Sequence, residues 1–469
     1  MNSSPMETLR NAARLVRDAV FGTGEDFTQG SLPRAVALLA IPMVLEMSME
    51  SLFGFADAMF VSRLGKEALA AVVLTESFLT ILFGVAIGLS FATTAMVARR
   101  IGEHDASGAA VAAAQALWVG VAVSVAIAAI GSLGARRLLG LMGASAEVIG
   151  GGAIYTSILL GSSVTIFLLF LLNAVFRGAG DAAIALRVLM VSNGLNIILD
   201  PCLIFGLGPF PELGLAGAAT ATAIGRGTGV ALQLWVLLSG HGRVHLRWQD
   251  LRPDWKVMAS LVRVSVNGIL QMEIGMASWV ALVRIMSTFG SEALAGYGLA
   301  IRTVIVVLMP AWGMSNAAAT LVGQSLGAGK PDRAERAVYL TGFYNMCFLG
   351  AVGLVFLVAA ERVLSVYGAD PAVIPYGVDC LRYLSYAYLF YAWGMVLIQA
   401  FNGAGDTWTP TKINFFCFWL CQIPMAYGLA LHTGLGPRGV YLAIAVAESL
   451  LAAVAMVLFR RGRWKTQKI

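Results

Sequence analysis

Apolar stretches long enough to cross a ~30 Å hydrocarbon core, about 20 residues each, recur along almost the whole of this chain, with only short polar loops between them. That feature limits the fold to very few choices. In lipid every backbone N–H and C=O must find a partner within the protein, which leaves helices or closed barrels. A barrel would need ~10-residue strands of alternating polarity, and uninterrupted apolar runs are the opposite pattern. The chain is 58% hydrophobic and 12% charged over 469 residues, against roughly 25% charged for a soluble globular protein. No room remains for a separate soluble domain.

Twelve spans are expected, near 33–62, 68–98, 109–132, 149–176, 186–206 and 214–238, then 258–288, 293–325, 336–360, 371–401, 410–431 and 439–459. Sorting the loops alternately puts 22 of the 32 lysines and arginines on one side and 6 on the other. The positive-inside rule then places both termini in the cytoplasm, with the chain in the inner (plasma) membrane. The net charge of +6 reads as attraction to anionic lipid, and no nucleic-acid partner is expected. The segment before the first span carries Arg10, Arg14, Asp18 and Glu25 without a continuous apolar region, so no signal peptide is read there. Leu9, Ala13, Val16 and Val20 share one helical face, suited to a short helix on the cytoplasmic leaflet. The cysteines lie in spans without metal-ligand company and read as packing residues.

Self-comparison finds a repeat at one constant offset. Leu64 to Ala70 returns as Phe289 to Ala295, Gly102 as Gly327, Gly178-Ala179-Gly180-Asp181 as Gly403-Ala404-Gly405-Asp406, and Gly214 as Gly439, every match at the same spacing. Six spans per half is an even number, so the halves run parallel about an axis along the membrane normal. The expected architecture is an all-α membrane protein of twelve transmembrane helices, in two parallel six-helix repeats around a central cleft. The N-lobe covers 33–238 and the C-lobe 258–459. They are flanked by a cytoplasmic segment 1–32, a linker 239–257 and a basic tail 460–469.

These residues resemble the multidrug and toxic compound extrusion (MATE) family, in particular its DinF-like branch, over about 33–460. The marks are Pro42, Phe55 to Val61, the Leu64 to Ala70 loop, Arg177 to Asp181, Asn196 to Pro201, Gly214 to Ala219, and Gly403 to Asp406. The resemblance implies a two-lobed exporter driven by Na⁺ or H⁺ influx and carrying amphiphilic, often cationic, drugs or metabolites. Pro42, Gly178 and Gly403 would serve conformational change.

Carboxylates at span depth cost several kcal/mol unless paired, hydrated or protonated. Glu46, Glu50 and Asp57 lie within about 40° on the first span, and Asn193, Asn196 and Asp200 within about 60° on the fifth. Each set forms one polar stripe that cannot face lipid. The family pattern puts Asp57 beside Asn196 and Asp200, with Thr222 of the sixth span nearby and Thr220 a weaker match. Hard oxygen ligands of this kind suit Na⁺, and close carboxylates also suit a proton. Holding helices together by hydrogen bonds is the plainer role for the same residues, above all for Asn193 and Glu46.

Glu273, mid-span in the C-lobe, matches a glutamate of many family members and is a candidate substrate or proton site, with Glu50, Glu46 and Asn193. Some branches carry an aspartate where this chain has Tyr391, which favours coupling through the N-lobe. Arg226, Arg302, Asp379, Arg382, Glu76 and Glu448 are expected to pair between helices or to reach for an interface. Met43, Met47, Met49, Phe53, Met272, Met276 and Trp279 either pack or line the cleft.

Enzyme signatures fail. Gly327-Ala328-Gly329-Lys330 lacks the first glycine of a phosphate loop and has Pro331 where Ser or Thr should follow. Gly434 to Gly439 fits a dinucleotide fingerprint by letters but joins two spans. His241 and His245 have no ligand companions. No cofactor is expected beyond the coupling ion, and the chain is expected to act as a monomer on an amphiphilic small molecule. The alternatives are a flippase for a lipid-linked precursor, which would want an Arg-rich groove and two further spans, and a receptor or membrane enzyme that does not transport.

Overall fold

A computed structural model describes residues 5–368, 370–467 and 469, apart from the side chains of 5–9, 55, 56, 58 and 62. The regular elements among the described residues are all helices, with no strand among them. α1 (Pro5–Phe21) precedes the spans. The N-lobe comprises α2 (Leu32–Val61), α3 (Lys66–Gly102), α4 (Ala106–Leu141), α5 and α6 (Ala146–Gly161 and Ser163–Ala179, together one span), α7 (Ala182–Phe205) and α8 (Leu215–Ser239). The C-lobe comprises α9 (Trp255–Met286), α10 (Ser291–Gly327), α11 (Pro331–Ser365), α12 (Ile374–Gly403), an eleventh span of α13 (Trp408–Asn414), a π-helical stretch Phe415–Gln422 and α14 (Ile423–His432), and α15 (Pro437–Arg460). All twelve spans are long and apolar enough to cross a membrane.

The repeat is visible in backbone detail. α3 and α10 correspond residue for residue at the spacing of the sequence repeat, as do the 3-10 turns Ser62–Leu64 and Ser287–Phe289 before them. Gly65 and Gly290, which open α3 and α10, share φ of 100° and 94°, a region that glycine enters without penalty. The match of Gly214 to Gly439 needs correction. Gly214 (φ 55°, ψ −132°) opens α8, but its conformational twin is Gly436 (φ 57°, ψ −137°), which opens α15. Gly439 sits inside α15, packed on the Ala430 backbone as Gly217 packs on Leu203. The last spans are therefore related by the shorter step from Gly214 to Gly436, because the π-helical stretch and the shorter loop 433–436 shift the register.

The lobes meet by the same contact made twice, α2 on α10 and α9 on α3. On the axis α3 crosses α10 at the end where both termini lie. A Cβ on Gly102 would sit 2.0 Å from the Gln324 carbonyl oxygen, and one on Gly327 2.2 Å from that of Arg99. Beside this crossing α10 also bonds α6, Thr320 Oγ1 donating to the Arg177 carbonyl (3.0 Å) and Gln324 Nε2 to that of Gly178 (2.9 Å). The segment between α1 and α2 is tied to the C-lobe as well. Lys330 Nζ donates to the Thr28 carbonyl (2.9 Å) and Arg333 Nε to that of Phe27 (3.0 Å). α1 docks through Leu15 and Ala19 and leaves Ala13 and Val16 exposed. That is the face expected to meet the leaflet; the Leu9 side chain lies outside the described residues.

The Gly-Ala-Gly-Asp corners divide their glycines between two roles. Gly180 and Gly405 take the positive φ (87° and 84°), whereas Gly178 and Gly403 are contact glycines. A Cβ would meet the Thr94 carbonyl oxygen at 2.8 Å in the first case and that of Ala319 at 2.2 Å in the second. Asp181 opens α7 but makes no cap. Its carboxylate accepts instead from the backbone N–H of Arg243 (2.7 Å) and pairs with that guanidinium (3.3 Å), pinning the linker. Burial pushes the Asp181 carboxyl above its ordinary range in spite of the arginine. Asp406 does cap, accepting from the Thr409 N–H (3.1 Å) and hydroxyl (2.7 Å). Asp406→Ala should lower stability by about 1 kcal/mol, seen as a lower Tm with export retained. An unchanged Tm would show that the cap contributes nothing.

Candidate functional site

Where the lobes part, between α2, α3, α6, α9, α10 and α12, lies a cavity of about 290 Å³. Met47, Met272, Met276, Met309, Phe91, Phe170 and Trp312 form its greasy walls, and Glu50, Asn173, Asn316, Gln399 and Asn402 supply polar points. Of the apolar residues expected there, Met43 is instead fully buried with its carbonyl against Gly313 of α10, and Met49 and Phe53 lie off the lining. A second space of about 200 Å³, sharing Phe91, Met272, Met276, Trp312 and Gln399, extends into the C-lobe past Trp279, Tyr391 and Glu448.

The cavity reaches Glu46, which the sequence set on a stripe with Glu50 and Asp57. The structure gives the three different partners. Glu46 is 1% exposed and paired with Arg177 Nη1 at 3.1 Å, a contact from α2 to α6 that the sequence did not signal. Buried charge needs such a partner, since an unpaired ion at this depth is strongly destabilising. Glu50 is exposed on the cavity wall and accepts a long hydrogen bond from Asn193 Nδ2 (3.5 Å). Pro42, one turn before Glu46, is buried within an α2 that runs on unbroken.

Asp57 turns to a different group. Its electrostatic neighbours are Arg226 of α8 and Glu76 of α3, and it is also felt by Asp200 of α7. Asn196 Nδ2 donates to Thr222 Oγ1 at 3.2 Å. The structure thus brings together Asp57, Asn196, Asp200 and Thr222; Thr220 hydrogen-bonds its own helix at the Ala216 carbonyl. Asp57 Oδ1, Asn196 Oδ1 and both carboxylate oxygens of Asp200 are buried without a hydrogen-bond partner among the described residues. Helix-to-helix bonding therefore leaves this cluster unsatisfied. Four acceptors without donors call for a proton, a metal cation or a cationic side chain.

Glu273 is placed apart from both groups. Its carboxylate lies against α3, so close to Gly84 that a Cβ there would meet Oε1 at 2.2 Å, and it is absent from the lining of both cavities. Oε1 has no partner among the described residues. Among the charges expected to pair, Asp379 does so with Arg438 (2.7 Å). Arg226 of α8 faces Glu50 and Asp57 of α2, but its Nη1 is buried without a hydrogen-bond acceptor among the described residues. Cys347 is exposed on α11, unlike the packing role expected of it.

The MatE family model matches residues 42–202 and 266–428, a stretch in each lobe. This chain belongs to the MatE family. Members of that family are transporters, not enzymes, and the chain is a multi-pass membrane protein. It is 25% identical to the probable multidrug resistance protein NorM of Thermotoga maritima, over 92% of this chain and 93% of that one. It is 29% identical to the probable multidrug resistance protein NorM of Pseudomonas aeruginosa, over 93% and 90%. A relative in Shewanella oneidensis, 26% identical over 90% and 96%, is an FAD transporter. Among solved structures, an outward-facing multidrug resistance MATE family transporter of the MOP superfamily superposes with a TM-score of 0.88 at 27% identity, covering 95% of this chain and 99% of that one.

Proposed function

We propose that this chain is a secondary active antiporter that exports amphiphilic, often cationic, small molecules in exchange for H⁺ or Na⁺, by alternating access of its two lobes. The observation that carries the reading is a donor-poor acid cluster at Asp57 and Asp200 in the same lobe that supplies Glu50 and Asn173 to the cavity wall. Methionine and aromatic walls adapt to flat apolar bodies, and Glu50 offers the cavity a carboxylate for a positive charge. With 22 basic residues on the terminal side, that side is the cytoplasmic face of the inner membrane. A bundle closed there by the α3–α10 crossing is then outward-facing. Cavity and cluster both come from one chain, which supports a working monomer, with 239–257 as the linker between the lobes.

Efflux of a fluorescent cation from proteoliposomes, driven by a proton gradient alone and then by a sodium gradient alone, tests the reading. Export under either gradient is expected. Folded protein that moves no substrate under either one would reject antiport and leave the flippase reading to be tried with a lipid-linked probe.

A further inference from the structure

The geometry points to Arg226 as a tethered counter-cation of the Asp57–Asp200 cluster, competing there with any metal cation. The inference rests on that cluster being the coupling site. Arg226 lies one turn beyond Thr222 on α8, about 40° around the helix, and so on the face that meets Asn196. Gly225 beside it brings the helices close, since a Cβ there would lie 3.0 Å from both Asn196 Cβ and the Ser192 carbonyl oxygen.

At this position the guanidinium is only partly satisfied. It lies 5.9 Å from the centre of the Phe83 ring, while Nη1 is buried without an acceptor among the described residues. The titratable groups around it are Glu50 and Asp57 of α2 and Tyr155 of α5; Asp57 lies near Arg226 and Glu76, and Asp200 near Asp57. An orphan donor thus stands beside Asp57, at the edge of a cluster with four orphan acceptors. A guanidinium carries five N–H donors in a fork that fits a carboxylate, so a change of rotamer in Arg226 can serve the acids when no other cation is present.

The repeat supplies a second, independent observation. In the register that sets Gly214 of α8 on Gly436 of α15, Arg226 falls on Glu448, and in the register that sets Gly65 on Gly290, Asp57 falls on Leu282. Only the lobe that holds the acid cluster holds the arginine, and its counterpart has the opposite charge. Asp57, Asn196 and Asp200 offer the hard oxygens a sodium ion wants, but the positive charge of Arg226 beside Asp57 opposes it. One like charge about 6 Å away, at an effective dielectric constant of about 20, weakens cation binding by roughly a hundredfold.

The test is ²²Na⁺ binding to the full-length protein in detergent. Wild type is expected to bind weakly, Arg226→Met about 10- to 100-fold more tightly, and Arg226→Lys, which keeps the charge, close to wild type. Adding Asp200→Asn to Arg226→Met should remove the gain. Unchanged or weaker binding in folded Arg226→Met, or a gain that survives Asp200→Asn, would overturn the proposal. Should Arg226→Met fail to fold, Arg226→Gln replaces it, and tight Asp200-dependent ²²Na⁺ binding by wild type would overturn the proposal without any arginine variant. Failure of the coupling reading shows separately, as gradient-driven export that persists in Asp200→Asn.

Discussion

Asp57→Asn and Asp200→Asn are each expected to abolish gradient-driven export while leaving insertion and folded yield at the wild-type level. Asparagine keeps the shape of the side chain and can still hydrogen-bond, so the helices should pack as before. What disappears is the charge that an incoming cation, or Arg226, would meet. Coupling requires the cation and the substrate to favour opposite-facing states of the lobes, and a ligand shifts such an equilibrium only through its differential affinity. With one acid gone the cluster loses that difference, and substrate binding is no longer linked to cation influx. The double variant should be little worse than either single one, because members of one site do not add. Export is measured in proteoliposomes and folding by monodisperse elution. Folded Asp57→Asn that still drives efflux at the wild-type rate would remove Asp57 from the site, and the same result for Asp200→Asn would remove the cluster.

How much of this the sequence carried depends on how local each signal was. The spans and the repeat are one-dimensional features, set by run length and spacing, and they survive into the structure nearly residue for residue in α3 and α10. The cluster of Asp57, Asn196, Asp200 and Thr222 was legible as well, because helical arithmetic gives the face and the family pattern gives the partners. The Glu46–Arg177 pair was not. It joins two helices far apart in the chain, and nothing in either helix names the other. Asp181 reads as a cap by its position after glycine, yet the linker delivers Arg243 to it, a tertiary event that overrides local preference. Glu273 shows a further limit: an apolar helix has no strong moment to fix its rotation, so depth was readable but direction was not. The slip in register that moves the partner of Gly214 from Gly439 to Gly436 was hidden for a related reason, since glycines recur often enough in these spans for Gly439 to match by letter.

Gly102→Val is expected to shift the transporter away from the state closed at the terminal end and to reduce export at least tenfold. The added Cβ would sit 2.0 Å from the Gln324 carbonyl oxygen, and a backbone atom in a packed crossing cannot swing aside as a side-chain tip can. Overpacking of this kind costs about 1–3 kcal/mol, and roughly 1.4 kcal/mol is a factor of ten in a population. The strain exists only while α3 and α10 cross closely; once the lobes part at that end the valine has room. The substitution therefore acts as a ligand would, favouring one state by a difference in free energy. Gly327→Val, with its Cβ 2.2 Å from the Arg99 carbonyl oxygen, should act the same way, since the two positions are related by the repeat. Spin labels at Ser107→Cys and Asp332→Cys, which occupy equivalent places in the two halves, report the opening in a background without the five native cysteines. A longer distance with normal folded yield is expected for both glycine variants. An unchanged distance distribution with wild-type export would show that the crossing yields without separating, and that closure of this end depends on Thr320, Gln324 and the segment before α2 instead.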